Sequence, residues 1–483
     1  MSAFSHHRAP NLDNRAPGLR RRNQISLLII VLLCLVAFPI GLLGRSTTLA
    51  ASVTWVPVNG EAATLVLGQP DFTSANIAVT PSGMYRPISV AIDPTTNKVF
   101  VADYKNNRVL RFASLTALQN GMAAEGVLGQ ADFTSNAATT TQYGMNNPIG
   151  MVVDAHGTLW VAEPLNNRVL RFDAAASKEN GANADGVLGQ TDFTSHIYAT
   201  SQNGMAYPFG VAIDTSGTLW VADYDNSRIL RFDAAANKAN GANADGVLGQ
   251  ATFTSNTIAT SQSGMHYPFN VVVDAQGRLW VADYSNSRIL RFDAAASKAN
   301  GANADGVLGQ PNYTSSIYAA TQNRMDYPTG IEVDTQGTLW VADYANSRVL
   351  RFAAAASKAN GANADGVLGQ NNFTTRTAAT SQSGMAYPTG VKVDANGTLW
   401  VADYSNNRVL HFGPISVPIT PTETATATAT ATATETATAT ATATETVTPT
   451  ETATATATET ATAIATATPP KKYRTYVPLV VEQ

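Results

Sequence analysis

Residues 267–310 read YPFNVVVDAQGRLWVADYSNSRILRFDAAASKANGANADGVLGQ. Four short runs in it suit β-strands: a GVxVD-like run, LWVAD, RILRF and GVLGQ, each rich in branched or aromatic residues. The best-spaced copy places them at Gly210–Asp214, Leu219–Asp223, Arg228–Phe232 and the GVLGQ that ends at Gln250. Between the first two runs, Asp-x-x-Gly is hairpin chemistry, with Gly supplying a positive φ. Tyr-Ser-Asn-Ser and its variants turn the chain between the second and third.

The stretch repeats along the chain. Trp160, Trp220, Trp280, Trp340 and Trp400 stand sixty residues apart, with Phe100 in the same place one unit earlier. VLGQ occurs six times, beginning at Val66, Val127, Val187, Val247, Val307 and Val367. Four antiparallel strands per unit, repeated at a fixed period, is the pattern of a β-propeller. We expect an all-β, six-bladed β-propeller over residues 61–412. The chain enters with a lone VLGQ strand, Val66–Gln69, and the last unit stops after three strands, at Phe412. The N-terminal strand should therefore complete the sixth blade and close the ring, leaving few free edges. Each Trp, at the middle of its second strand, should pack between blades.

At V-D-x-x-G-x-L-W-V-A-D-x-x-N-x-R-V/I-L-R-F the chain resembles the NHL repeat family. The resemblance covers about residues 61–412 and implies a propeller, with a unit lengthened here by a long loop before the first strand. It implies little about function, because such propellers include binding modules and enzymes alike.

The chain has 483 residues, of which 44% are hydrophobic and 14% charged, enough apolar material for a large core. Of its 31 basic and 35 acidic residues, six and one lie in the first fifty positions. The rest therefore holds 25 bases against 34 acids, a net −9, which repels a phosphate backbone and argues against nucleic acid.

Residues 1–50 read as an export leader: Arg20-Arg21-Arg22, the apolar run 25–44, then Thr48-Leu49-Ala50 before a cleavage point. Left uncleaved, the same run would be a signal anchor, a transmembrane helix and the only membrane contact. The single cysteine, Cys34, lies in that run, so the body has no thiol for a disulfide, thiolate catalysis or cysteine-bound zinc. Residues 413–470 read as a Thr/Ala/Glu-rich stalk, disordered or O-glycosylated. Residues 471–483 form a basic, aromatic and apolar tail resembling short Tyr-x-Pro-Leu ends of exported bacterial proteins. The expected location is secreted or attached to the cell surface.

Candidate site residues fall into three groups. Asp223 and Arg228, with counterparts in every unit (Glu163 and Arg168 in the second), read as a structural pair, Asn226 satisfying the turn. Tyr224, Tyr284, Tyr344 and Tyr404 either cover blade edges or stack on a ligand, and Tyr104 belongs to the same set. Departures from symmetry come next. Glu332 and Lys392 put opposite charges at the third position of two neighbouring innermost strands, where other units carry Ala91, Val152, Ala212 and Val272. Arg324 and Asp326 replace small residues on a long loop.

Strand parity places the second-to-third turns and the long fourth-to-first loops on one face. That face is hydroxyl-rich and dotted with aromatic residues, suited to adaptable hydrogen bonding and stacking. The opposite face, with the DAAASKANGANADG loops, reads as soluble filler. His156, His196, His266 and His411 occupy four different places in the unit and form no metal-ligand pattern. No cofactor is implied, and the Asp-x-x-Gly turns lack the ligand spacing of a calcium loop. The expected function is noncatalytic binding of an extracellular protein, peptide or glycan by the long-loop face. Alternatives are a metal-dependent lyase or lactone hydrolase at the pore, and a purely structural surface or matrix protein. Oligomeric state is left open.

Overall fold

The structure, a computed structural model, describes residues 55–414. They form six four-stranded antiparallel sheets, and in the first five the strands follow chain order from the innermost outward. The third blade is representative, with strands Pro208–Ile213, Leu219–Asp223, Arg228–Phe232 and Gly246–Leu248. The middle two have the expected bounds. The inner strand starts two residues earlier, and a register shift follows between Pro208 and Val211. Asp214 falls out of the strand because its carboxylate takes the turn N–H groups of Ser216 and Thr218, both at 2.9 Å. The outer strand stops at Leu248 because Gly249 takes φ +86°, and a Cβ there would lie 2.9 Å from the Ser227 carbonyl oxygen.

Ring closure follows the expected route. Leu65–Leu67, which starts one residue and ends two residues before the expected Val66–Gln69, pairs antiparallel with Arg408–Phe412 and is the outer strand of the sixth blade. Each indole lies between blades: Trp220 clusters with Val281, Leu290 and Phe292 of the fourth. Burying such a side chain removes roughly 150–250 Å² from water, about 4–6 kcal/mol as an upper figure.

The loops after the third strand do more than the filler role the sequence suggested. Asn240 Oδ1 accepts the Val187 N–H of the preceding blade's outer strand at 3.1 Å, and the Gly241 N–H donates to the Val187 carbonyl at 3.1 Å. Asn-Gly thus latches each outer edge to the next blade. Asn59-Gly60 supplies the same latch to Val367 of the fifth blade, at 3.0 and 3.1 Å. The N-terminal segment therefore holds two blades.

One expectation is corrected. Against the expectation of a transmembrane helix, no helix among the described residues is long and apolar enough to cross a membrane. The apolar run 25–44 on which that expectation rested, with the rest of the leader, the Thr/Ala stalk and the tail, lies outside the described residues.

Candidate functional site: the long-loop face

The long loops and the second-to-third turns share one face, as strand parity requires. In the third blade the Tyr224 and Asp225 N–H groups donate to the Tyr207 and Ala206 carbonyls at 3.3 and 3.1 Å. The loops are anchored by the Asp/Asn/Arg set. Arg228, fully buried, donates through Nε to Asp223 Oδ2 at 2.7 Å and through Nη2 to the Ser201 and Gly204 carbonyls at 2.8 and 3.0 Å. Its Nη1 donates to the Phe253 carbonyl of the next loop. Asp223 Oδ1 accepts the Ala206 N–H at 2.7 Å, and Asn226 bridges Asp223 to the Ala199 carbonyl. The set reads as a scaffold, and what it holds still is the loop face.

The residue before each inner-strand proline is the feature that sequence reasoning missed. Arg86, Asn147, Tyr207, Tyr267, Tyr327 and Tyr387 all sit there with φ between 53° and 56°. A bulky residue gains nothing from this left-handed conformation, and Gly would adopt it without strain. Side chains of the preceding blade's turn hold it: Asn167 Oδ1 accepts the Tyr207 N–H at 2.9 Å, and Asn407 Oδ1 that of Arg86 at 2.9 Å. The signal was an aromatic residue immediately before proline in four successive units.

These residues meet the turn tyrosines across blade boundaries. Tyr224 stacks on Tyr267 with centroids 4.8 Å apart, Tyr284 on Tyr327 at 4.6 Å, and Tyr344 meets Tyr387 at 5.1 Å. The Arg86 guanidinium lies 5.3 Å from the Tyr404 ring centre. The result is an aromatic collar. Of the turn set, Tyr104, Tyr224, Tyr284 and Tyr404 are buried and Tyr344 is half-buried. Burial pushes the Tyr224 and Tyr284 hydroxyls well above the ordinary range, leaving them neutral. The turn tyrosines therefore brace the collar, while the half-buried rings of Tyr207, Tyr267, Tyr327 and Tyr387 are its open side. Outside the collar, Ile197, Tyr198, Ile317 and Tyr318 are exposed on loop tips.

Arg324 and Asp326 fall on this face but play different parts. Arg324 braces its own loop, donating from Nη1 to Gln310 Oε1 at 2.6 Å. Asp326 directly precedes Tyr327 and is buried, and its Oδ1 has no hydrogen-bond partner among the described residues. Burial, reinforced by the negative charge of Asp343, pushes its carboxyl up to about 6. His266, the equivalent residue one blade earlier, has its ring 4.7 Å from Tyr267, and burial holds its imidazole below the usual range. Glu332 and Lys392 lie away from the collar, in a pore cavity of about 120 Å³ lined mainly by apolar inner-strand residues. They pair with each other at 2.5 Å, burial raising the Glu332 carboxyl against the pull of Lys392. Among the described residues no group of three or more His, Cys, Asp or Glu is placed to hold a metal ion.

Comparison with known proteins agrees with this architecture. The NHL repeat model matches residues 84–112, 205–232, 267–292, 325–352 and 385–412. The second blade, with Glu163 and Pro164 at the turn, is outside those matches. A probable peptidyl-alpha-hydroxyglycine alpha-amidating lyase from Caenorhabditis elegans is 29% identical over 164 residues, covering 32% of this chain and 39% of that protein. Among solved structures, a streptogramin B lyase is 13% identical with TM-score 0.40, covering 69% of this chain and 95% of that one. An auxiliary nutrient binding protein from Bacteroides thetaiotaomicron is 10% identical with TM-score 0.45, covering 72% and 76%. Likeness at that level speaks of neither ligand nor chemistry. The repeat matches and the closed ring of four-stranded sheets together make this chain an NHL-repeat, six-bladed β-propeller.

Proposed function

We propose that the protein is a noncatalytic binding module, exported and displayed outside the cell, that engages a protein, peptide or glycan through the tyrosine collar. One observation carries this reading. Four tyrosines hold a left-handed conformation that costs roughly 1–2 kcal/mol each relative to an ordinary one, where Gly or Asn would be easier. Strain kept at repeated positions, with a half-exposed aromatic ring as its product, marks a surface built for contact. A metal-dependent lyase at the pore needs unlike ligands converging at one point. The pore cavity offers the Glu332 carboxylate, already tied to Lys392.

The test uses the full chain on peptide and glycan arrays, followed by single substitutions. Tyr267→Gly and Tyr327→Gly remove a ring while relieving backbone strain, so folding is retained as judged by circular dichroism. Each should weaken the bound signal by about tenfold, the loss of one aromatic contact of about 1.4 kcal/mol. Lys298→Ala on the opposite face should leave it unchanged. Loss caused by Lys298→Ala alone would put the site on the wrong face. Silence from every array feature would leave a structural surface protein as the better account, and a thermal midpoint that falls with a chelator would favour the metal enzyme.

A further inference from the structure

The collar is regular in backbone but not in chemistry, and its least regular joint lies between the fourth and fifth blades. There Tyr284 stacks on Tyr327. Beside them stands Asp326, where the third and sixth blades carry Ala206 and Ala386. The Asp326 backbone is fully used: its N–H donates to Asp343 Oδ1 at 2.7 Å, and its carbonyl accepts the Ala345 N–H at 3.1 Å. The side chain is not. The residue is 5% exposed, its Oδ1 lacks a donor among the described residues, and its charge reaches the Tyr284 hydroxyl. A buried carboxylate oxygen without a donor costs free energy, and in native proteins such a group calls for an explanation, an unfilled ligand position being one.

The same collar shows which chemistry suits its rings. The Arg86 guanidinium lies 5.3 Å from the Tyr404 ring centre, and the Lys105 ammonium 4.8 Å from that of Tyr104. At those joints the chain supplies its own cation to a tyrosine face. At the Tyr284–Tyr327 joint it supplies an anion instead.

We infer that Asp326, Tyr284 and Tyr327 form a subsite for a primary ammonium group, and that its ligand is a lysine side chain on an extended peptide. This rests on the collar being a binding surface. Lysine fits because its methylene stem can lie along an aromatic ring while its head reaches a carboxylate. Ile317 and Tyr318, exposed on the loop that leads to Asp326, offer apolar contact to flanking peptide residues. The net −9 of the chain beyond residue 50 draws in basic polypeptides. Arg376, exposed on the next long loop, pulls on the Asp326 carboxylate through space and competes with the ligand.

The experiment is calorimetric titration of the full chain at pH 7.5 with acetyl-Ala-Lys-Ala-amide, its norleucine counterpart and glucosamine. Saturable binding is expected for the lysine peptide, with the norleucine peptide at least about tenfold weaker. Asp326→Ala, which copies the third and sixth blades, and Asp326→Asn should each lose a similar factor, whereas Arg376→Ala should bind more tightly. Equal binding by Asp326→Ala overturns the subsite, and binding of glucosamine in preference to the peptide overturns the assignment to lysine. If Tyr327→Gly abolishes an array signal that Asp326→Ala leaves intact, the binding face stands and the ammonium subsite falls. If no array feature binds, both fall.

Discussion

At the scale of single residues, the informative positions are those where one blade departs from its siblings. Asp326 is the clearest. Its carboxyl is held up to about 6 by burial, above the 3.8 of an unburied aspartate. The folded state therefore holds this proton more tightly than the unfolded chain does, and Asp326 takes stability away as pH rises from about 4 through 6. Asp326→Ala should accordingly be more stable than wild type above pH 7, by about 1–3 kcal/mol, and equal to it below pH 4. Urea unfolding of both chains across that range isolates the effect, because every other carboxylate titrates in each. A difference independent of pH would mean that the side chain acts through packing. Tyr327 shows the complementary case: its ring is retained at φ 56° although Gly would be easier there.

At the scale of elements, the short outer strands are the weak point of each sheet. Three residues with one bare edge would invite pairing with another chain. The Asn-Gly latch covers that edge, and in the fifth blade the covering residues come from the N-terminal segment, through Asn59 and Gly60. Asn59→Ala should cost about 1 kcal/mol, one net hydrogen bond, and Asn240→Ala the same, since the two make equivalent contacts. Hydrogen exchange at Val367 and Val187 should rise in the respective variants. No change at either amide would show that the glycine N–H bond alone holds the edge. On the opposite face, the Arg228 network ties each long loop both to its own blade and to the next, so the collar rests on inter-blade contacts as well as on its loops.

At the scale of the whole molecule, closing the ring brings six inner strands within backbone contact. A Cβ at Gly210 would lie 2.5 Å from Asn270 Cα, so little volume is left at the centre. The Glu332–Lys392 pair occupies that space as a local ion pair on neighbouring blades. Replacing both with Val, the type found at Val152 and Val272, should leave stability within about 1 kcal/mol of wild type and ligand binding unchanged. Lys392→Val alone should cost more, because it strands a buried carboxylate. Denaturation of the single and double variants decides it, and a double variant that loses binding would bring the pore into the site.

The sixty-residue period, the four runs per unit and the split last blade were legible in the chain because strand alternation and turn chemistry are local and repeated six times. Ring closure was legible too, since one strand and three strands can be counted without coordinates. The identity of the buried Asp/Asn/Arg set as scaffold could be read from its recurrence. The collar could not. Turn tyrosines and pre-proline tyrosines lie in different blades, and only the packing of adjacent blades brings Tyr284 onto Tyr327 and separates braced rings from open ones. The latch of Asn59 on Val367 spans 308 residues for the same reason. Sequence determines what each repeat can do alone; closing the ring decides which side chains of different repeats meet, because those contacts exist only between blades.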